Sequence, residues 1–95
     1  MSRSPVEAVA DATGDSEDAV LRKGLESYVE RELREARIRI NEIKTTYDVE
    51  SIEELEVRIA DGSEPEHPTW EEVIEWENLQ DRVTALEDLS TSISN

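Results

Sequence analysis

Seven apolar residues, Leu25, Val29, Leu33, Ala36, Ile40, Ile43 and Tyr47, follow one another at spacings of 4, 4, 3, 4, 3 and 4. A helix gathers positions three and four apart onto one face, so the stretch is read as one long helix with a single stripe to bury. From Val29 onward the rhythm is a heptad seam, and the step from Leu25 through Val29 to Leu33 inserts a stutter. Ala36, Ile38 and Ile40 alternate with Arg37 and Arg39 as a strand would. The strong helix formers upstream and the unbroken seam through Tyr47 decide for helix. Acid-first pairs four apart, Glu30–Arg34 and Glu35–Arg39, add about 0.2–0.5 kcal/mol each. Gly24 costs about 1 kcal/mol within a helix and marks an expected bend or frayed beginning. Asp15 and Ser16 are candidate N-caps, followed by Glu17 and Asp18, which favour the positive end of the helix dipole.

A helix with one apolar stripe needs something to lie against, and the rest of the chain supplies it. Ser51-Ile-Glu-Glu54 is a capping box opening a short helix with Ile52, Leu55 and Ile59 on one face, ending before Gly62. A loop with two prolines follows, from Asp61 to Pro68. Thr69-Trp-Glu-Glu72 has the same capping pattern and opens a last helix whose seam is Val73, Trp76, Leu79, Val83, Leu86 and Ile93. The expected architecture is all-α: helices over 17–47, 52–61 and 70–90 of a single domain spanning 16–95. The long helices form an antiparallel αα-hairpin, the short one folds at their connection, and residues 1–15 form a disordered arm.

Composition makes this core thin. The chain has 95 residues, no Phe, four aromatics and 36% hydrophobic residues. Dimerisation into a helical bundle is the expected remedy, because a domain this small buries only about 60–65% of its unfolded surface. No cysteine is present, so neither disulfides nor thiolate metal sites arise. No apolar run approaches the roughly 20 residues that span a bilayer, and the N-terminus has no apolar signal core. These observations predict a cytoplasmic protein.

Charge is distributed unevenly. The net charge is −15, yet Arg22 to Lys44 holds seven bases against five acids. From Asp48 to Glu77 twelve acids face one base, Arg58. Sign asymmetry of this kind bears on association and solubility rather than on a reaction. The acidity, with two lysines against eight arginines, also resembles halophilic composition, where carboxylates keep a surface hydrated in salt. An acidic surface argues against nucleic acid, whose phosphates require a basic footprint.

No catalytic or cofactor motif is present, so no catalytic residue, metal ligand or cofactor is assigned. His67, the only histidine, lies near several glutamates, but HExxH and ExxH spacings are missing and it reads as a solvated loop residue. Arg31, Arg34, Arg37 and Arg39 are expected to pair with glutamates on their own and neighbouring helices. Trp76 belongs to the seam. Trp70 either covers the short helix or anchors a partner. Ile38, Val57, Ile74 and Leu89 fall off the stripes and require a second contact surface, met by a homodimer or by a different protein.

The stretch from Tyr47 to Glu77 resembles a group of small acidic helical archaeal proteins of antitoxin-like type. The resemblance is carried by Tyr47-Asp48, Ser51-Ile-Glu-Glu-Leu55, Gly62, His67-Pro-Thr-Trp70-Glu-Glu and Ile74-Glu-Trp76-Glu77, about a third of the chain. It implies a helical protein that neutralises a basic, toxin-like partner. The expected function is therefore non-enzymatic protein binding, with Ile38, Trp70, Glu71, Glu72 and Ile74 as the partner-binding residues. The alternative is a self-associating homodimeric bundle of a halophile without a dedicated partner.

Overall fold

The computed structural model describes residues 3–94 and is all-α, with no strand among the described residues. Its helices are α1 (Pro5–Thr13), α2 (Glu17–Tyr47), α3 (Ile52–Ala60) and α4 (Glu66–Ser94). Helices α2 and α4 lie side by side and antiparallel. Tyr47, the last residue of α2, meets Glu72 near the start of α4, while Arg37 reaches forward to Glu87. Helix α3 packs against α4 at the closed end of this hairpin, and α1 packs against α2. The result is a rod of 64 × 28 × 17 Å.

The seam is buried where α4 covers it. Val29, Leu33, Ala36, Ile40 and Ile43 of α2 pack with Val73, Trp76 and Val83 of α4, and Leu79, Leu86 and Ile93 join them partly buried. Burial is deepest at the closed end, where Ile43, Leu55 and Val73 have no exposed surface. Here α3 closes the core with Leu55 and Ile59. Removing a side chain such as Leu55 to the β-carbon would cost about 2–5 kcal/mol, a large share of the stability of so small a domain. Leu25 departs from the expectation: it lies on the same stripe but is 54% exposed. The reason is length. Lys44 sits over the Trp76 ring and Arg37 pairs with Glu87, and in that register α4 runs out abreast of about residues 26–30.

The segment 1–15, expected as a disordered arm, contains a capped helix instead. The Ser4 hydroxyl accepts from the Glu7 amide, Pro5 occupies the first turn, and Gly14 closes α1 at φ 81° with its amide bonded to the Ala10 carbonyl. Start and stop chemistry thus outweighs the weak apolar period that suggested disorder. Helix α2 begins as expected with Ser16, whose hydroxyl accepts from the Ala19 amide. Its other end is a Schellman turn. Asp48 is left-handed at φ 53°, the Val49 amide bonds to the Lys44 carbonyl, and the Asp48 amide bonds to the Thr45 carbonyl. This turn places Val49 in the core beside α2, a burial that no spacing rule signals.

The two capping boxes behave differently. Ser51 caps α3 by accepting from the Glu54 amide, and the Glu54 carboxylate reaches back to the amide of Glu50, one residue earlier than a box requires. The second box does not form. Helical hydrogen bonding starts at Glu66, with extended backbone at His67, and the buried Thr69 hydroxyl has no hydrogen-bond partner. The Glu72 carboxylate is engaged with Arg39 and Tyr47 of α2, so the reciprocal half of the box is not made either. Helix α4 also continues to Ser94, four residues beyond the expected end, and α3 stops at Ala60 with Asp61 as its cap.

Asp48 is a non-glycine residue held left-handed, and its carboxylate forms no hydrogen bond or ion pair among the described residues. Asp48→Gly should therefore stabilise the fold by about 0.5 kcal/mol, and Asp48→Val should destabilise it by about 1–2 kcal/mol. Chemical denaturation monitored by circular dichroism measures both.

Candidate functional site

The acidic stretch becomes one end of the rod: the α2–α3 turn, α3, the following loop and the start of α4. Its single base is committed internally. The Arg58 guanidinium donates to the carbonyls of Tyr47 and Asp48 (3.0 Å for Asp48) and so satisfies the acceptors at the end of α2. It also pairs with Glu54 at 3.6 Å. A cation at a helix C-terminus is favoured by the dipole as well, which makes Arg58 a cap rather than a neutraliser of this surface.

Arg39 reaches the same end from α2. Its Nε and Nη2 grip both carboxylate oxygens of Glu75 at 2.8 and 2.7 Å, and the same guanidinium lies 3.3 Å from Glu42 and 3.5 Å from Glu72. The Tyr47 hydroxyl donates to the other oxygen of Glu72. This fork-to-fork pairing fixes the lateral register of α2 on α4 in a way that apolar packing does not. The Arg39 hydrogen bond holds the Glu75 carboxyl below the usual carboxylate range, and the Glu75 bond in turn raises the Arg39 guanidinium. In the loop, the hydroxyl and amide of Ser63 likewise hold Asp61 below its ordinary value.

These pairings separate the five candidate binding residues. Trp70 and Ile74 lie one turn apart on the outer face of α4, at 41% and 56% exposure. Glu71 stands beside them, with the exposed His67 Nδ1 3.2 Å from its carboxylate. Glu72 faces inward, engaged with Arg39 and Tyr47. Ile38 is exposed too, but it points away from the seam on α2 just as Ile74 does on α4, so the two lie on opposite sides of the hairpin. At 100° per residue Ile38 falls roughly 160° from its seam neighbour Ile40. One rigid partner surface cannot engage Ile38 and Trp70 together by a flat contact. The site therefore reduces to Trp70, Glu71 and Ile74 with their acidic surroundings.

Three of the twelve acids between Asp48 and Glu77, namely Glu54, Glu72 and Glu75, pair with arginines, and Glu71 lies beside His67, which is a cation only when protonated. The other eight have none among the described residues. The concavities in this structure are open grooves. One is lined by α2 alone, around Ile38 with Arg34 and Arg37, and another lies on α4 between Ile74 and Arg82. No three metal-ligating side chains come together among the described residues. No helix there is long and apolar enough to cross a membrane. The expectation that these arginines pair across helices holds for Arg37 with Glu87 and for Arg39 with Glu72 and Glu75, while the capping of α2 by Arg58 is the role that sequence reading missed. Acid-first spacing on a helix pointed to local Glu35–Arg39 pairing, but the shorter reach to Glu75 prevails.

Over residues 1–94 the sequence matches the family described as Uncharacterized protein MJ0235 family, and the chain belongs to it. No curated protein and no solved structure matches the chain.

Because the folded Glu75 carboxyl titrates below its unfolded value, the unfolded chain binds the extra proton between the two. Stability from this pair is complete above about pH 4.3 and is lost as pH falls through the lower folded value. Melting temperature should thus fall more steeply with acidification below about pH 4.3 in the native protein than in Glu75→Gln, with the two curves converging at the acid end. Thermal melts across this pH range check it.

Proposed function

We propose that the chain is a non-enzymatic protein-interaction module that acts in the cytoplasm and docks a basic partner protein on its acidic end. The observation that carries this is the pair Trp70 and Ile74, exposed one turn apart on the outer face of α4, at an end of the rod where eight of twelve carboxylates have no ion-pair partner among the described residues. Aromatic and aliphatic anchors ringed by charge of one sign suit a partner of the opposite sign, which the field steers into place and the anchors hold. The antitoxin-like version of the reading makes that partner a basic toxin-like protein, and rests on the resemblance of the stretch from Tyr47 to Glu77. Glu71 supplies rim charge in this arrangement. Glu72 contributes by keeping α4 in register, and Ile38 is left out of the contact.

Nucleic acid is a poor fit to this end, since phosphates would meet eight unpaired carboxylates. The test is affinity capture from native lysate with the full chain as bait, followed by mass spectrometry. The native protein should retain one protein in stoichiometric amount. Trp70→Ala combined with Ile74→Glu should lose it while keeping the native melting temperature within about 2 °C, because both side chains are exposed. Equal capture by bait and double variant would overturn the reading.

A further inference from the structure

The other end of the rod carries a feature that the partner-docking reading leaves unused. Leu21, Leu25 and Tyr28 form a stripe at spacings of 4 and 3 on α2, with exposures of 51%, 54% and 52%. They sit where α4 has run out, so the apolar face of α2 continues without the helix that covers it elsewhere. Helix α1 packs at the start of α2 and leaves these three side chains uncovered. Within this stripe stands Gly24. It lies inside a regular helix, and a β-carbon built there would meet nothing within 4 Å. Neither a positive φ nor crowding within the chain accounts for a glycine at this position. A glycine on the exposed, apolar flank of a helix does permit one thing that alanine hinders: the close approach of another backbone.

Charge indicates what approaches. Between Leu21 and Glu32 the chain has three bases and three acids, Arg22, Lys23 and Arg31 against Glu26, Glu30 and Glu32. This is the locally neutral part of a molecule of net charge −15. With α1 and the start of α2 included, residues 1–32 carry eight acids against four bases, so a second copy meets far less repulsion here than at the acidic end, where twelve acids face one base. Leu25 is separated from Tyr47 by 22 residues of helix, roughly 33 Å at 1.5 Å per residue, several screening lengths at physiological salt. Pairing through this stretch therefore holds the two acidic ends far apart. With Gly24 included, the positions 21, 24, 25 and 28 are symmetric in spacing about the point between Gly24 and Leu25. In an antiparallel pair with the dyad between Gly24 and Leu25, Leu21 of each copy faces Tyr28 of the other, Gly24 faces Leu25, and Lys23 comes near Glu26, as a two-fold contact requires. Tyr28 is already fixed in place, its hydroxyl donating to Glu32 at 3.0 Å and its ring lying 5.4 Å from the Arg31 guanidinium.

We propose that the chain forms a two-fold dimer through the first third of α2, crossing at Gly24, with Leu21, Leu25 and Tyr28 of both copies as the contact. The acidic ends point outward at opposite extremes of the assembly. They remain free, so that each dimer presents two copies of the docking end.

Sedimentation of the full chain over a wide concentration range, at low and high salt, tests this. The native protein should show a monomer–dimer equilibrium. Gly24→Ala separates the proposal from a monomer with a merely tolerated glycine. In the dilute monomer it should raise the melting temperature by about 4–8 °C through helix propensity. In the same protein the dimer should weaken by about tenfold or more, since the added methyl props the helices apart. Leu25→Glu should abolish the dimer with helicity unchanged by circular dichroism, and Ile74→Glu should leave it intact. A chain that stays monomeric at every concentration overturns the proposal. So does a dimer that is indifferent to Gly24→Ala and Leu25→Glu, or one lost in Ile74→Glu. Capture of a heterologous protein by the acidic end does not enter this readout, so the two proposals fail independently.

Discussion

Everything in this fold hangs on the contact between the apolar stripe of α2 and that of α4. Each helix has one narrow buried face, Trp76 is the one buried aromatic among the described residues, and no disulfide or metal site among them supports the contact. With side chains mostly of Val, Leu, Ile and Ala, hydrophobic burial alone sets a weak preference among lateral registers. The bidentate pairing of Arg39 with Glu75, flanked by Tyr47 and Glu72, supplies directional information that the aliphatic stripe lacks. Being partly exposed, such a pairing contributes modestly to stability, and its role is to specify which turns face one another.

The contact also organises the charge. Two arginines are drawn into structural work at the closed end, Arg39 between the long helices and Arg58 on the carbonyls that end α2. Apart from Glu54, Glu71, Glu72 and Glu75, the carboxylates between Asp48 and Glu77 are left without an ion-pair partner among the described residues. Self-repulsion there is tolerable because the end is narrow and solvent surrounds it on several sides, and salt screens it further. At the opposite end the same helix is near neutral and apolar. The rod is thus electrically polarised along its length, and its two ends suit different kinds of neighbour.

Much of this was legible in the residues, in proportion to how local the cause was. The bounds of α2 followed from the seam and from Ser16, and the burial of Val73, Trp76 and Val83 followed from spacing. The short helix does stop before Gly62, which is left-handed at φ 81°. Failures came where a distant group overrode a local rule. The Thr69 box has the right letters, yet the Glu72 carboxylate is taken by Arg39 and Tyr47 and the buried Thr69 hydroxyl makes no cap. Val49 is buried because of a Schellman turn whose left-handed residue is Asp48, which sequence does not distinguish from an ordinary turn aspartate. Residues 5–13 carry a serine cap, a first-turn proline and a closing glycine, signals that were present but were outweighed by polar composition. In the candidate site, exposure of Trp70 and Ile74 agreed with their off-seam positions. Ile38 belonged to the same class by pattern but not by place, because periodicity gives a direction on one helix and not the relation between two.

The central claim is that this seam is tight at the closed end and unfinished at the open one. Amide hydrogen exchange on the dilute monomer measures that gradient directly. Protection should peak around residues 40–43 and 73–76, where Ile43 and Val73 are fully enclosed, and should fall away steadily toward residues 17–28. Even protection along the whole of α2, or a maximum in its first third, would contradict the account.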